Sequence, residues 1–372
     1  MKKLAALIVI GLLLMPNGNV LGLTEGKRAA DQLKEFVVTT GEGLYADPFE
    51  ANRYVYSGAT DQFLDQSTMQ NFITFNNELW RIIAIEADGT IKIVKATDIN
   101  TIFDPGYSSD ISGVTTSGSV IGTRYSANSN DYCYATSEDI YFGCSIWGSA
   151  TTTLNSAGTA AVAQINGKNL PSTESYINIY LNGAYYNSLN SDKNYIVTHL
   201  FNVGALPDQY SRPGTEMISY AQANTWRGKV GLIGADDLPK SRIFNKPLSE
   251  VMEGTGNSWL NKMNEAQGTA TMSSTGDGIS YYGTVSNSPR GAYPVVYLTD
   301  KITLSGTGTY QDPFVIVGLV KDETNQAPEN KSEEVNVPGT DSFISVIISC
   351  AALALILIGM IGYYFMNKRK KG

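Results

Sequence analysis

Short runs of β-branched and aromatic residues, separated by turn-forming residues, dominate the middle of the chain. The clearest two, residues 79–85 and 90–94, flank Asp88-Gly89, a dipeptide that tight hairpin turns favour. Within the second run, Ile91 and Ile93 should point inward and Lys92 outward, which predicts one solvated face. Similar runs occupy 229–233, 293–298, 302–304 and 314–317. The sequence therefore predicts an α+β fold that is mainly antiparallel β with a few helices.

Two stretches show helical spacing instead. The first is predicted to end at Gly41 and has its apolar residues at Ala29, Leu33, Phe36 and Val37. The second is predicted to begin with Ser172 as its cap and has its apolar side at Ile177, Tyr180, Leu181 and Ala184. Residues 97–167 are rich in Ser, Thr, Asn and Gly, so we expect extended loops with short strands there, where binding sites often lie.

The C-terminal end carries an apolar segment, residues 343–365, that is long enough for one helix to cross a bilayer. The basic residues behind it should stay in the cytoplasm. We therefore predict a transmembrane helix at 343–365 and a basic cytoplasmic tail at 366–372. The acidic, proline-containing residues 319–342 predict a disordered linker in front of that helix.

The N-terminal end carries two lysines, an apolar run and a turn, which predict a secretory signal peptide at 1–22. An uncleaved membrane anchor is the alternative. The exported part would then consist of an N-terminal helix at 23–42 and a globular extracellular domain at 43–318. Together the two ends predict a single-pass protein of the cell membrane.

Charge excludes one class of partner. The chain has 27 Lys and Arg against 35 Asp and Glu, and six of those cations lie in the signal and the tail. The exported part is therefore strongly acidic and has no basic patch with which to displace counterions from phosphates. We expect no binding to nucleic acid.

Three cysteines are present, and Cys350 lies in the apolar C-terminal segment. Cys133 and Cys144 are the two that remain for the exported part. An oxidising compartment favours a disulfide between them, which would close a short loop. Two reduced, buried thiols are the alternative.

Several landmarks follow one another between residues 43 and 317. They are Tyr54-Val55-Tyr56-Ser57-Gly58, 75–83 (FNNELWRII), Tyr180-Leu181-Asn182, 230–233 (VGLI), Trp259-Leu260, 294–298 (PVVYL) and 306–314 (GTGTYQDPF). This order resembles a family of surface domains in Gram-positive gut bacteria that lie between a signal peptide and a wall or membrane anchor. The resemblance implies a surface location and no particular activity.

The same resemblance implies a fold similar to the C-type-lectin-like fold shared with formylglycine-generating enzymes. Cys133 and Cys144 lie mid-chain rather than late in the chain, where those enzymes carry their copper-binding cysteines, so that activity is not implied. The chain also departs from the family at Tyr293, which stands where an Arg commonly precedes the PVVYL strand; Arg290 lies three residues earlier.

Residues Val337-Pro338-Gly339-Thr340-Asp341 resemble a sortase sorting signal of the LPxTG type, placed before an apolar span and a basic tail. Asp341 stands where sortase accepts Gly, and it adds a side chain and a charge. The sequence therefore favours a retained membrane protein over covalent attachment to the cell wall.

Catalytic motifs are missing. The sequence has no G-x-S-x-G, S-x-x-K, H-E-x-x-H or phosphate-binding G-x-x-x-x-G-K motif. Its one histidine, His199, is flanked by apolar residues and is interpreted as a packed side chain with one satisfied nitrogen. Carboxylates are plentiful enough for a hydrolase that uses two of them, but no pattern selects a pair.

Two features are candidates for ligand binding. Asp236 and Asp237 directly follow a buried-strand pattern, and their carboxylates would suit Ca²⁺; a solvated turn is the alternative. Trp147, in a Gly-containing loop near Cys144, is predicted to be exposed and to offer its ring to a sugar. Trp80 and Trp259 are expected in the core. No other cofactor is predicted.

The sequence thus favours a membrane-anchored surface protein that displays a noncatalytic binding or adhesion module on a flexible stalk. Its partner would be a glycan, a host protein or an envelope component. The alternatives are an extracellular carboxylate-dependent hydrolase and a structural surface protein attached by sortase. Carboxylates that converge in a deep pocket would favour the hydrolase, and a polar or aromatic patch would favour the binding module.

Overall fold

A computed structural model describes residues 26–41, 43–57, 70–104, 126, 128–133, 144, 146–204, 219, 222–234, 236–237, 257–259, 271–273, 279–280 and 290–320. Its helices are α1 (Ala29–Leu33), α2 (Tyr176–Tyr180) and α3 (Tyr186–Ser188), with 3₁₀ turns at Lys34–Phe36 and Asp192–Tyr195 and a π-helical turn at Leu181–Tyr185. Its strands are β1 (Gly43–Ala46), β2 (Tyr54–Ser57), β3 (Phe72–Phe75), β4 (Glu78–Ile85), β5 (Ile91–Lys95), β6 (Ile99–Thr101), β7 (Thr153–Asn155), β8 (Gln164–Ile165), β9 (Lys168–Asn169), β10 (Ile196–Val197), β11 (His199–Asn202), β12 (Asn224–Gly228), β13 (Val230–Leu232), β14 (Asn257–Trp259), β15 (Thr271–Ser273), β16 (Ile279–Ser280), β17 (Arg290–Ala292), β18 (Pro294–Leu298), β19 (Ile302–Ser305) and β20 (Phe314–Leu319). The predicted class, mainly β with a few short helices, is confirmed.

Ten of the described strands form one large sheet. Its main path runs β10-β18-β5-β4-β3-β20-β19, with β13 beside β18 and with β2 pairing both β4 and β1. All of its pairs are antiparallel except that between β20 and β3. Smaller sheets are formed by β11-β12-β7, by β16-β15-β14-β17-β6 and by β8-β9.

The predicted hairpin is present as β4 and β5, which pair from Trp80 opposite Lys95 to Ile85 opposite Ile91, with a register shift between Ile82 and Ala84. The turn is not one of the two-residue primed turns that Asp-Gly favours, because the Gly89 N–H donates to the Glu86 carbonyl at 2.9 Å, which puts Gly89 at the last position of the turn. Among the turn residues Gly89 alone has a positive φ, of 85°. Asp88 shapes the turn, since one of its carboxylate oxygens accepts the backbone N–H of Thr90 at 3.0 Å and the Thr90 hydroxyl at 2.7 Å.

The prediction that Lys92 points to solvent is wrong. Every residue of β5 is buried, and Lys92 is 5 % exposed. The strand lies between β4 and β18 inside the large sheet, and the face that carries Lys92 is covered by the ring of Tyr297 and the carboxylate of Asp237. Alternation along a strand identifies the two faces but not what covers each of them.

The core is one continuous cluster of apolar side chains. Trp80 is fully buried and meets Phe75 edge to face at 5.3 Å between ring centroids, which confirms its predicted place. Trp226 packs edge to face on Trp147 at 5.6 Å. The side chain of Trp259 lies outside the described part of the chain.

The first helix is shorter than predicted. It continues as a 3₁₀ turn to Phe36 and ends before Val37, which is extended and exposed. Gln32 on α1 is fully buried, and its side-chain amide pairs with the backbone of edge strand β19. It accepts the Leu304 N–H at 2.9 Å and donates to the Leu304 carbonyl at 3.4 Å. The helix therefore covers part of an edge that would otherwise expose backbone groups.

The second helix begins three residues later than predicted. Ser175 rather than Ser172 is its cap, because the Ser175 hydroxyl accepts the Asn178 N–H at 3.4 Å. The same hydroxyl donates to the Trp147 carbonyl at 3.1 Å and so ties the helix to the loop that carries Trp147.

The predicted disulfide between Cys133 and Cys144 is present. The described residues belong to the unit Met1–Lys321, and a second unit, Asp322–Gly372, lies outside them. The predicted signal peptide, linker, transmembrane helix, tail and sorting signal at Val337–Asp341 also lie outside the described residues. Among the described helices, none is long and apolar enough to cross a membrane.

Candidate ligand-binding cleft

A cleft of about 490 Å³ opens beside the large sheet, within the size range of ligand sites. Residues of the β1–β2 turn form one wall, and β11 with neighbouring loop residues forms the other. The floor is contributed by Lys92 of β5, Tyr297 of β18 and Glu86, which directly follows β4. The lining consists of Phe49, Glu50, Arg53, Glu86, Lys92, Ser156, His199, Leu200, Asn202, Gln222, Asp236 and Tyr297.

The β1–β2 turn is held in shape by the carboxylate of Asp47. One of its oxygens accepts the Phe49 N–H at 2.8 Å, and the other accepts Nη1 of Arg53 at 2.6 Å. Asn52 takes a positive φ of 63°, which Asn tolerates in turns. The turn thereby fixes Phe49, whose side chain lines the cleft and is 48 % exposed.

Arg53 lies at the centre of the charged side chains at the floor of the cleft. Its Nε and Nη2 donate to the two carboxylate oxygens of Glu86 at 2.6 and 3.2 Å, a bidentate geometry. Nη2 also lies 3.9 Å from Oδ1 of Asp237. Burial alone would lower the pKa of Arg53, but Glu86, Asp237 and Asp47 outweigh it and hold that pKa well above its ordinary value.

Beside Arg53, Lys92 and Asp237 form a buried ion pair. Nζ of Lys92 lies 2.6 and 2.8 Å from the two oxygens of Asp237, which is 2 % exposed. One of those oxygens also accepts the Gly234 N–H at 2.8 Å. Burial alone would lower the pKa of Lys92 and raise that of Asp237. Their mutual attraction, with Arg53 acting on Asp237, reverses both shifts, so both groups are charged.

His199 forms part of the cleft wall. Its ring stacks on Tyr297 at 3.8 Å between centroids and 15° between planes. Nδ1 lies 3.0 Å from the Leu200 carbonyl oxygen, and Nε2 lies 3.4 Å from Oδ2 of Asp88. Burial alone would raise the pKa of Asp88, but hydrogen bonds from Thr90 and the nearby histidine lower it below its ordinary value. The prediction of a packed histidine is confirmed by the stacking on Tyr297, but both ring nitrogens, rather than one, face an acceptor, and the histidine also lines the cleft.

The two predicted aspartates lie at this cleft, but not in a solvated turn. Both are buried, so that alternative is wrong. Asp236 lines the cleft and accepts a hydrogen bond from Asn202 Nδ2 at 2.7 Å, whereas Asp237 lies behind it against Lys92. In the described part of the chain, no group of three or more His, Cys, Asp or Glu side chains is arranged to hold a metal ion. The suitability of Asp236 and Asp237 for Ca²⁺ stays a prediction.

Trp147 is not part of the cleft, and the prediction that its ring is exposed is wrong. Its exposed fraction is 0 %, and the ring packs against Trp226 and Phe103. Its carbonyl accepts from Ser175, so the loop is pinned to α2. A Gly-containing sequence near a disulfide is compatible with a tightly packed loop as well as with an open one.

Sequence reasoning missed Phe49, Arg53, Lys92 and Tyr297. A signal was available for Lys92, since a lysine within an apolar strand must have its charge satisfied if that strand is central. Arg53 carried a similar signal, because it lies directly before the strand-like residues 54–57. The partners of both are distant along the chain, so local pattern alone does not identify them.

What the cleft offers chemically is a set of fixed polar groups. The carboxylates of Glu86 and Asp236 accept hydrogen bonds from Arg53 and Asn202, so they act as anchored acceptors. Ser156 and Gln222 add a hydroxyl and an amide, and Phe49 adds an apolar ring face. This combination suits a polar ligand that also presents an apolar surface. Comparison of the chain with protein-family models, curated proteins and solved structures found no match.

Proposed function

We propose that the protein is an exported, membrane-anchored cell-surface protein of a Gram-positive bacterium and that its cleft is a noncatalytic binding site for a glycan. The anchoring rests on the apolar residues 343–365 with their basic tail and on the signal-like N-terminus. The binding role rests on one observation, a polar cleft with an exposed aromatic ring held at its wall by a rigid turn.

A sugar fits this combination of groups. Its ring has an apolar face for Phe49 and hydroxyl edges for amides, hydroxyls and carboxylates. The turn that carries Phe49 is fixed by Asp47 and Arg53, so little conformational entropy would be lost on binding. The buried charges of the floor are already paired with each other, so a neutral ligand need not compensate them.

The experiment is a binding screen of the purified full-length protein on a broad glycan array, with and without Ca²⁺. We expect saturable binding that Phe49→Ala weakens about tenfold, since truncating an aromatic anchor commonly costs more than 1 kcal/mol. Tyr310→Ala is the matched control, because Tyr310 is also an exposed aromatic, at 43 %, and does not line the cleft. Equal binding by wild type and Phe49→Ala would refute the assignment of the site.

The alternative of a carboxylate-dependent hydrolase is favoured by one observation, namely that Glu50, Glu86 and Asp236 line the same concave cleft. Against it, Glu86 is held bidentately by Arg53, whereas a general acid must release and regain a proton. A panel of glycoside substrates separates the two proposals. Turnover that Glu86→Gln abolishes would support the hydrolase.

Two finer expectations belong to the proposal. A C-type-lectin-like arrangement is implied by the family resemblance, and a single transmembrane helix is implied by residues 343–365. Covalent attachment to the cell wall at Thr340 is the remaining alternative, which treatment with a muramidase would reveal by releasing the protein from cells.

A further inference from the structure

Three of the ion pairs that join two described residues bring a lysine against a carboxylate, and they differ in exposure. The pair Lys27 and Glu35 has both side chains partly exposed. The pair Lys95 and Glu78 joins a buried lysine to a carboxylate that is 40 % exposed. Only in the third pair, Lys92 with Asp237, are both side chains shielded, at 6 % and 2 %.

We propose that Lys92 and Asp237 become joined by an intramolecular amide bond after the protein has folded. The amine nitrogen lies 2.6 and 2.8 Å from the two carboxylate oxygens, so it faces the carboxyl group directly. Two reactants held in such contact have a very high effective concentration, which removes most of the entropic barrier to their reaction. Burial also keeps bulk water away from the product.

The reaction is a condensation that releases one water molecule. The Lys92 ammonium first gives a proton to the Asp237 carboxylate, which leaves a neutral amine beside a carboxylic acid. The amine attacks Cγ of Asp237, so a C–N bond forms. The nitrogen then gives up a second proton, the hydroxyl takes it and departs as water as the C–O bond breaks, and the amide remains. No oxidant or other reactant is needed.

Neighbouring groups support these steps. The Gly234 N–H donates to one Asp237 oxygen at 2.8 Å, and Nη2 of Arg53 lies 3.9 Å from the other. Both would stabilise the negative charge that develops on oxygen during attack. Glu86 belongs to the same cluster through Arg53 and acts electrostatically on Lys92. The same charges stabilise the initial ion pair, so the reaction would be slow.

The bond would link two parts of the sheet that lie on either side of β18. Lys92 is in β5, which pairs with β18 at Tyr297, and Asp237 follows β13, which pairs with the other edge of β18. The two residues are 145 positions apart along the chain. An amide between them would lock the cleft floor covalently, whether or not the cleft binds a glycan.

Mass spectrometry of the full-length protein tests this directly. The protein is kept folded for several days, then denatured, reduced, alkylated and digested. We expect a cross-linked peptide that contains Lys92 and Asp237 and has lost one water molecule relative to its two parts. Separate, unmodified peptides for both residues, with no cross-linked species, would overturn the proposal.

Two variants define the chemistry. Lys92→Arg keeps the positive charge but removes the amine, so the cross-link and its water loss should disappear. Lys95→Arg is the matched control, and the cross-link should persist in it. Persistence of the same water loss in Lys92→Arg would mean that it arises elsewhere, for example by cyclisation of an aspartate, and would also overturn the proposal.

Discussion

Replacing Arg53 by methionine should reveal how much of the cleft depends on one guanidinium. Methionine fills a similar space but offers no charge and no donors. Asp47 and Glu86 would then lose three hydrogen bonds, at 2.6, 2.6 and 3.2 Å, while remaining largely shielded from water. The variant therefore leaves two carboxylates without their cation.

The expected cost follows from that burial. Removing one partner of a buried ion pair typically costs about 3–5 kcal/mol, because the remaining charge is desolvated and uncompensated. Arg53 has a side chain that is 4 % exposed, so solvent screening offsets little of this cost. In a domain of this size, 1 kcal/mol corresponds to roughly 2–4 °C, so we expect the midpoint of thermal unfolding to fall by about 10 °C.

Tryptophan fluorescence provides the assay, because Trp80, Trp147 and Trp226 are buried and should shift to longer emission wavelengths on unfolding. Urea unfolding at pH 7 gives the free energy. Arg227→Met is the control, since Arg227 is exposed on β12, and it should change stability by no more than about 0.5 kcal/mol. If Arg53→Met destabilises the protein no more than Arg227→Met does, the proposed role of the charged cluster is wrong.

Three further predictions concern the scaffold. Gln32→Leu should lower the free energy of unfolding in urea by about 1–3 kcal/mol, because the backbone N–H and carbonyl of Leu304 lose their partners. A decrease of less than about 0.5 kcal/mol would contradict this account. Asp88→Asn should destabilise the protein at pH 7. Because folding lowers the pKa of Asp88, this carboxylate adds to the free energy of unfolding above pH 3.8, its ordinary pKa, and that addition is lost as the pH falls below this value. The stabilities of the two proteins should therefore converge in acid. A difference in stability that is constant with pH would count against the Thr90 and His199 contacts. Cys133→Ser should lower the free energy of unfolding by about 3 kcal/mol through loss of the disulfide, and reduction of the wild-type protein should lower it by the same amount. An unchanged free energy of unfolding on reduction would mean that the bond is absent.

The elements that sequence could predict are those with strong local signals. The β4–β5 hairpin and the strands predicted at 293–298 and 314–317 follow from short-range pattern, and the disulfide follows from the expectation of an oxidising compartment. Their physical basis is β-branched composition and turn chemistry, which act within a few residues.

The cleft could be predicted only in part. Asp236 is predictable because it follows a buried strand, but its partner Asn202 comes from another sheet. The predictions for the exposure of Trp147 and of Lys92 are wrong for the same reason. Burial depends on which distant segments cover a residue, and no local pattern contains that information.

Calorimetric titration of the full-length protein with the tightest ligand from the glycan array tests the central claim most directly. We expect one ligand per chain, heats that return to baseline after each injection, an affinity reduced about tenfold in Phe49→Ala and an unchanged affinity in Tyr310→Ala. Heat that continues after each injection would indicate turnover, and an affinity unaffected by Phe49→Ala would show that the cleft is not the binding site.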